Sequence, residues 1–236
     1  MSVLAILPAA GAGIRMGSDT PKQFLALEGT PIFIHTLRKF DAADAVSEIF
    51  LAVRPGETER VEQALEGERL SKPLRLTEGG ETRQETVARA LEQAPPSTRV
   101  VVVHDVVRPF ITAEMISQAV EAATASGAAI FAVPSVDTLK QIEHGAILGT
   151  IPRERVALAQ TPQAFAFSLL KEAFDRARAD GFLGTDESSL VERLEVKVTV
   201  LRGSDRNIKI TKPSDLPLAR LFLALEHQNA GEAAPG

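Results

Sequence analysis

The chain has 236 residues, of which 44% are hydrophobic and 24% are charged, as in ordinary soluble proteins. That length allows one large α/β domain or two small ones. The chain contains no cysteine, which excludes disulfides and thiolate metal sites. Its net charge of −5 and its lack of tryptophan and tyrosine argue against a broad nucleic-acid surface. No apolar stretch reaches the roughly 18 residues of a membrane span, and no signal peptide is recognisable, so we expect a cytoplasmic protein without a membrane partner.

Apolar runs typical of strands alternate with helical patterns along most of the chain. The strand-like runs are Val3–Leu7, Ile49–Val53, Val100–Val103, Ala128–Val133 and Lys197–Leu201. The helical segments are Glu57–Leu65, Thr82–Ala94, Thr112–Ser126, about Ser168 to Ala179, and Pro213 to about His227. This alternation predicts an α/β fold with a doubly wound, mostly parallel sheet, in a single domain that spans residues 1–227. We expect residues 228–236 to form a disordered tail.

A different pattern occupies residues 135–155. Two short runs, Thr138–Ile142 and Ala146–Ile151, flank His144-Gly145 and predict a β-hairpin. Because an isolated two-stranded hairpin is only marginally stable in water, we expect it to pack against another surface. A second subunit and the hairpin's own domain are both open as that surface.

The segment that follows the first strand is the most informative part of the sequence. It is Pro-Ala-Ala-Gly-Ala-Gly-Ile-Arg-Met-Gly from Pro8 to Gly17, and Pro21-Lys22-Gln23 comes shortly after it. Glycine and alanine allow the backbone to approach a bulky anion, and Arg15 and Lys22 add two positive charges. The glycine spacing matches neither the dinucleotide-binding fingerprint nor the P-loop. The segment therefore predicts a polyphosphate site, with an ordinary turn as the structural alternative.

Further motifs follow along the chain. They are Gly79-Gly80-Glu81-Thr82-Arg83-Gln84-Glu85-Thr86-Val87, His104-Asp105-Val106-Val107-Arg108-Pro109, Thr161-Pro162-Gln163, Thr185-Asp186-Glu187 and Asn207-Ile208-Lys209-Ile210-Thr211. The first two of these motifs are expected at carboxyl ends of strands, where ligands of such sheets bind. In their order and spacing, the motifs resemble the 2-C-methyl-D-erythritol 4-phosphate cytidylyltransferase family, and the resemblance covers about residues 3 to 226.

That resemblance implies a Rossmann-like nucleotidyltransferase fold whose hairpin protrudes and joins two chains in a homodimer. It implies that CMP passes from CTP to 2-C-methyl-D-erythritol 4-phosphate. The products are CDP-methylerythritol and pyrophosphate, in a step of non-mevalonate isoprenoid synthesis. Mg²⁺ or another divalent cation would be held mainly by the CTP phosphates, with Asp105 as a candidate protein contact. Because the attacking phosphate is already an anion, no general base is required.

The same resemblance implies roles for individual residues. The residues expected to act in catalysis are Arg15, Lys22, Arg153 and Lys209. The residues expected to bind the nucleotide or the acceptor are Ala9, Ala10, Gly11, Gly13, Gly79, Thr86, Asp105, Arg108, Thr138 and Thr161. Of these residues, Arg153 and Thr138 would come from the hairpin of the partner chain, so the active site would be shared between subunits.

Each charged candidate also has a plainer interpretation. Asp105 and Arg108 can form a local ion pair at the end of a strand, and Arg153 lies in a charged run with Glu154. Lys209 alternates with isoleucines, which is typical of an outward-facing strand position. The four histidines are scattered without metal spacing, so we interpret them as structural or surface residues.

Two departures from the family pattern concern the substrate. Thr86 stands in place of the usual serine, and Val106-Val107 stand in place of two alanines. Ribitol 5-phosphate or another polyol phosphate is therefore an alternative acceptor. A regulator that binds CTP without turnover is a further alternative, although the cations Arg15 and Lys22 favour an enzyme.

Overall fold

A seven-stranded sheet forms the centre of the molecule. The computed structural model describes residues 1–11 and 21–232. The strands are β1 (Ser2–Pro8), β2 (Ala26–Leu27), β3 (Thr30–Pro31), β4 (Glu48–Val53), β5 (Leu74–Glu78), β6 (Thr98–Val103), β7 (Ala128–Pro134), β8 (Leu139–Glu143), β9 (Ala146–Ile151), β10 (Ala157–Ala166) and β11 (Thr199–Arg202). The helices are α1 (Ile32–Asp41), α2 (Thr58–Leu65), α3 (Arg83–Glu92), α4 (Ala113–Ser126), α5 (Phe167–Ala179), α6 (Glu187–Glu192) and α7 (Asp215–Glu232).

The order of strands in the large sheet is β11-β7-β10-β6-β1-β4-β5. Strand β10 runs antiparallel to both of its neighbours, and the other neighbouring pairs are parallel. The chain passes outward from β1 to β4 and β5, and then returns to place β6 on the other side of β1. A ligand crevice is expected outside the carboxyl ends of the strands at this reversal. The predicted doubly wound, mostly parallel α/β sheet is confirmed.

Helices cover both faces of the sheet, which explains the apolar runs of the sequence. In β1, Val3, Ala5 and Leu7 face one buried layer, whereas Leu4 and Ile6 face the other. Helices α1, α4 and α7 pack in the first layer, and α3, α5 and α6 pack in the second. Strands that are buried on both faces have nearly continuous apolar sequences. Most positions within these strands are therefore apolar, and polar side chains are expected mainly at the strand ends.

Sequence patterns do not reveal α1, β5 and β10. Strand β10 contains Pro162, which argues against a strand, and the structure accommodates the proline at a register shift between Gln160 and Gln163 opposite β7. Helix α1 begins with the run Ile32–Ile34, whose β-branched and aromatic residues favour a strand. Strand β5 is short and lies at the edge of the sheet. Tertiary packing overrides local propensity at β10 and α1.

Strands β8 and β9 pair with each other as a separate two-stranded sheet, so the predicted hairpin is confirmed. Its large apolar side chains are exposed: Ile142 is 67%, Ile147 is 65% and Leu148 is 57% accessible. Within the described chain these side chains are therefore not packed against the hairpin's own domain.

The last helix, α7, begins at Asp215 and continues to Glu232. The predicted end of this helix at about His227 is therefore too early, and the first part of the predicted disordered tail is helical. Residues 233–236 lie outside the described part of the chain. Neither α7 nor any other helix in residues 1–11 and 21–232 has the length and apolar character needed to cross a membrane.

Candidate active site at the strand ends

Two cavities open at the carboxyl ends of the strands. The larger one has a volume of about 250 Å³ and lies where β1, β4 and β5 end and α3 begins. The smaller one has a volume of about 180 Å³ and lies against β10 and the start of α6. Arg83, Asp105 and Lys209 line both cavities. The two cavities therefore share a wall of charged side chains.

Small residues form one side of the larger cavity. Ala9 and Ala10 are buried at the end of β1, and the Ala9 amide donates to the Ala52 carbonyl at 2.7 Å. Gly79 lies so close that a Cβ atom there would be 2.4 Å from the Ala10 Cβ, so only glycine fits. Gly11 is exposed, with open space around its Cα. These four residues, all predicted from the sequence, lie together.

The start of α3 is fixed by its own side chains. The Thr82 hydroxyl accepts from the Glu85 amide at 3.0 Å as the N-cap of the helix, and the Glu85 carboxylate accepts from the Glu81 amide at 2.9 Å. The Thr86 hydroxyl donates to the Thr82 carbonyl at 2.8 Å and accepts from the Gly80 amide at 3.1 Å. Thr86 lines the larger cavity, but its hydroxyl shapes this turn. The loop backbone is thereby held in place at the cavity edge.

Lys22 also lines the larger cavity. It begins a short 3-10 turn, and the next residue, Gln23, is buried. The Gln23 side chain donates from Nε2 to the Ala9 carbonyl at 2.7 Å. This hydrogen bond ties the turn that carries Lys22 to the end of β1.

Asp105 follows β6 and lies in the shared wall. Its Oδ1 is 3.1 Å from Arg83 Nε, and its Oδ2 is 2.8 Å from Lys209 Nζ. Arg108 Nε is 3.5 Å from the same Oδ2. Burial alone would raise the pKa of Asp105, but the three cations outweigh burial and hold this pKa well below its usual range. The local pair between Asp105 and Arg108 is therefore present, as part of a larger cluster.

Arg83 joins Asp105 to a second buried carboxylate, Glu187. The Arg83 Nη1 donates to Glu187 Oε1 at 2.7 Å, while its Nε donates to Asp105 at 3.1 Å. Burial raises the pKa of Glu187. Burial opposes the positive charge of Arg83, but the two carboxylates raise its pKa above the usual range. Arg83 and Glu187 both lie in motifs of the sequence, but no role is predicted for either, because nothing in the sequence indicates that α3 and α6 meet.

A chain of hydrogen bonds runs through buried residues behind Asp105. The Asp105 amide donates to Thr161 Oγ1 at 3.0 Å, and Thr161 Oγ1 lies 3.1 Å from His104 Nδ1. His104 Nε2 lies 3.0 Å from the Arg108 carbonyl. Since a carbonyl only accepts, we assign the proton to Nε2, so that Nδ1 accepts from the Thr161 hydroxyl. Thr161 thus orients the Asp105 backbone, and His104 is structural, as the sequence predicts.

The segment that carries Lys209 is irregular, so the outward strand position is not observed. Asn207 anchors this segment, because its side chain donates to the Thr161 carbonyl at 2.7 Å. The Asn207 carbonyl in turn accepts from Arg108 Nη1 at 2.7 Å. The Lys209 side chain is still 34% exposed. Its backbone is therefore held, whereas its ammonium group lies on a flexible stem.

Val106 and Val107 are buried, at 3% and 4% exposure, and belong to the core on the α1 side of the sheet. Thr36 Oγ1 donates to the Val106 carbonyl at 2.7 Å. Both valines also line the larger cavity, but the described lining of the smaller cavity does not include them. Their added bulk relative to alanine therefore lies in the core and beside the larger cavity.

Five of the predicted site residues are not among the residues that line the described cavities, and one of them is Gly79, which packs against Ala10. Arg15 and Gly13 lie outside the described residues. Thr138 and Arg153, on either side of the hairpin, are exposed and are not among the residues that line the two cavities. Arg153 Nη1 donates to the Val136 carbonyl at 3.0 Å. Within one chain, Arg153 and Thr138 are thus separate from the charged wall.

A metal site built on protein ligands does not fit the described residues. They contain no group of three or more His, Cys, Asp or Glu side chains that could hold an ion. Both oxygens of Asp105 are bound to cations, so a divalent cation placed beside them would be repelled. The candidate metal contact through Asp105 is therefore not supported.

His104 provides a test of this network through the pH dependence of stability. Burial lowers the pKa of His104 to about 4, whereas an unfolded histidine titrates near 6.5. The unfolded chain therefore takes up a proton before the folded chain does, and stability falls progressively as the pH decreases from about 6.5 to about 4. We expect this effect to reach about 3 kcal/mol in the wild-type protein and to be missing from His104→Gln.

The measurement is the free energy of unfolding in urea between pH 7.5 and pH 4.5. Other groups titrate in both proteins, so the informative quantity is the difference between the wild-type and variant curves. If the free energies of unfolding of the two proteins changed in parallel with pH, the assignment of His104 as neutral and buried would be contradicted.

Comparisons with known proteins show the family. The sequence matches the family model described as 2-C-methyl-D-erythritol 4-phosphate cytidylyltransferase over residues 3–225. A protein of that name from Solibacter usitatus is 50% identical, over 96% of this chain and 97% of its own. Another from Acidobacterium capsulatum is 52% identical, over 94% of this chain and 98% of its own.

Solved structures agree with this result. The enzyme of that name from Thermus thermophilus superposes with a TM-score of 0.77 at 37% identity, and covers 94% of this chain and 98% of that one. The 4-diphosphocytidyl-2C-methyl-D-erythritol synthase from Anaerococcus prevotii gives a TM-score of 0.83 at 30% identity, and covers 94% and 96%. The resemblance carried by the motifs is therefore confirmed, and the chain belongs to the 2-C-methyl-D-erythritol 4-phosphate cytidylyltransferase family.

Proposed function

We propose that the chain transfers CMP from CTP to 2-C-methyl-D-erythritol 4-phosphate in non-mevalonate isoprenoid synthesis. The observation that carries this proposal is the wall of Arg83, Asp105 and Lys209 between two cavities. One cavity offers small residues and backbone groups to a nucleotide, and the other offers charged groups to a phosphorylated polyol. The two substrates would meet at the shared cations.

In the proposed reaction, an oxygen of the acceptor phosphate attacks the α-phosphorus of CTP. The new P–O bond forms as the bond from the α-phosphorus to its oxygen bridge with the β-phosphorus breaks. Pyrophosphate leaves with that electron pair, and CDP-methylerythritol is the other product. The attacking oxygen is already ionised, so catalysis depends on alignment and on cations close to the developing charge.

Small residues and one cation act on the nucleotide side in this proposal. Some described residues let the backbone come close to CTP or hold the loop around it. They are Ala9, Ala10, Gly11, Gly79 and Thr86. We propose that Lys22 stabilises the negative charge on the α-phosphate and on the leaving pyrophosphate, because it lines the same cavity. The corresponding roles of Arg15 and Gly13 stay predictions from the sequence.

The acceptor side uses the smaller cavity. Asp105 accepts hydrogen bonds from the polyol hydroxyls, and Lys209 binds the acceptor phosphate. Arg108 is held by the Asn207 carbonyl at 2.7 Å and adds a fixed positive charge. Thr161 contributes mainly by holding the Asp105 amide at 3.0 Å.

We further propose a homodimer in which the hairpin of each chain packs against the other chain. The exposed apolar side chains of β8 and β9 support this proposal, since an isolated hairpin is marginally stable. The partner would then supply Arg153 to grip the acceptor phosphate and Thr138 to contact the acceptor. Both residues are exposed and lie next to the hairpin.

Magnesium is proposed to enter as the counter-ion of the triphosphate, because phosphate oxygens are the hard ligands that it prefers. CTP with its divalent cation is then the substrate. A cytoplasmic location and the lack of a nucleic-acid partner stay predictions from composition.

Pyrophosphate release tests the proposed function. The purified protein is incubated with CTP and Mg²⁺, and with methylerythritol phosphate, ribitol 5-phosphate or no acceptor. We expect release to need an acceptor, and kcat/KM for methylerythritol phosphate to exceed that for ribitol 5-phosphate by about tenfold or more. A preference for ribitol phosphate would contradict the acceptor assignment. Thermal stabilisation by CTP without any pyrophosphate would instead indicate a regulator.

Lys22→Ala tests the transition-state role of this cation. A preorganised charge on the reacting phosphates should lower kcat by about 10²-fold when it is removed, with a much smaller loss of CTP affinity. Steady-state kinetics give kcat, and titration calorimetry gives CTP affinity. Lys171→Ala is the matched control, because Lys171 forms an exposed pair with Asp175 at 2.8 Å. An equal loss in kcat and in CTP affinity would contradict the assignment.

A mixture of Lys22→Ala and Arg153→Ala chains tests the shared site. In a mixed dimer, one site combines an intact Lys22 with an intact Arg153 from the other chain. Random pairing of equal amounts should therefore restore about one quarter of wild-type activity. If Arg153 serves its own chain, every mixed dimer has two defective sites and no activity returns. Each variant alone is the baseline.

A further inference from the structure

The three cations around Asp105 differ in their freedom to move. Arg83 is anchored by Glu187 at 2.7 Å, and Arg108 is buried. The Lys209 side chain is 34% exposed and flexible. Of the three cations, Lys209 is therefore the one that can turn from Asp105 to a phosphate.

That movement changes the environment of Asp105. The carboxylate would lose its closest cation, which lies at 2.8 Å, while Arg83 stays at 3.1 Å and Arg108 at 3.5 Å. The remaining contact with Arg83 is a hydrogen bond, whereas the contact with Arg108 is longer than a good one. Arg83 is thus the strongest anchor of Asp105 once Lys209 has turned away.

We propose that Arg83 is a positioning residue, which keeps Asp105 ionised and oriented toward the acceptor hydroxyls while Lys209 contacts the acceptor phosphate. This inference rests on the proposed function, because it concerns the acceptor side of that reaction. An arginine suits the task because its planar fork holds two carboxylates at once. Glu187 prevents Arg83 from following Lys209 toward the phosphate.

The charges around Asp105 support the same conclusion. The titratable groups that face it are Arg83 from α3, His104 and Arg108 from the segment after β6, Lys209 from the anchored segment, and Glu187 from α6. With both carboxylates ionised, three positive charges oppose two negative ones. His104 is neutral at pH 7, because burial lowers its pKa to about 4. Without Arg83, the largest of the charge interactions that oppose burial would be lost, and the pKa of Asp105 would rise from its wild-type value.

The test compares Glu187→Gln with the double variant Arg83→Gln/Glu187→Gln. The single variant keeps the Arg83–Asp105 bond, and the double variant removes it without leaving an unpaired carboxylate at position 187. We expect the double variant to raise the acceptor KM about tenfold or more above that of the single variant, because a hydrogen bond to a charged group is lost. The CTP KM should change by less than about twofold.

The pH profile supplies a second readout. Asp105 must be ionised to accept the polyol hydroxyls, so activity is lost as the pH falls through its pKa. We expect the acidic limb of kcat, which reports the enzyme with its substrates bound, to lie at higher pH in the double variant than in Glu187→Gln. If the double variant does not fold, Arg83→Lys takes its place, and a selective rise in the acceptor KM is again expected.

Controls separate this inference from the proposed function. Arg38→Gln removes an exposed arginine that forms a two-point pair with Glu68, at 3.0 and 2.7 Å, and should change neither KM. Identical kinetics of the single and double variants, or an equal rise in both KM values, would overturn the role of Arg83. A wild-type protein that releases no pyrophosphate with any acceptor would overturn the proposed function itself.

Discussion

A buried carboxylate surrounded by cations is the contact on which the rest of the site depends. Asp105 is only 7% exposed, and ionised groups at such positions are stable only when they are paired. Its partners Arg83, Arg108 and Lys209 come from three different parts of the chain. The ion cluster therefore joins α3, the end of β6 and the segment before α7 into one wall.

The fold makes this wall available at one place. Because the chain reverses direction across the sheet at β1, the carboxyl ends of β1 and β6 are neighbours and their loops meet. Small residues keep that meeting point open, and Gly79 can lie against Ala10 only because it has no side chain. The nucleotide and acceptor sides of the proposed reaction are thus adjacent for topological reasons.

The sequence predicts much of this arrangement because local signals are strong where strands are buried on both faces. It also identifies Asp105, Arg108 and Lys209, since each lies in a motif of the family. It does not reveal β10, whose proline argues against a strand, or α1, whose first residues favour one. Packing against the sheet decides both of these elements.

The sequence by itself determined the alternating α/β architecture, the hairpin and the family, because hydrophobic period and motif order are local properties of the chain. Only the tertiary structure decided which charges meet. Arg83 and Glu187 lie about a hundred positions apart, and their bond exists because α3 and α6 pack on the same face of the sheet. Packing across the fold determines the partners of a buried charge, so they cannot be predicted from the spacing of residues along the sequence.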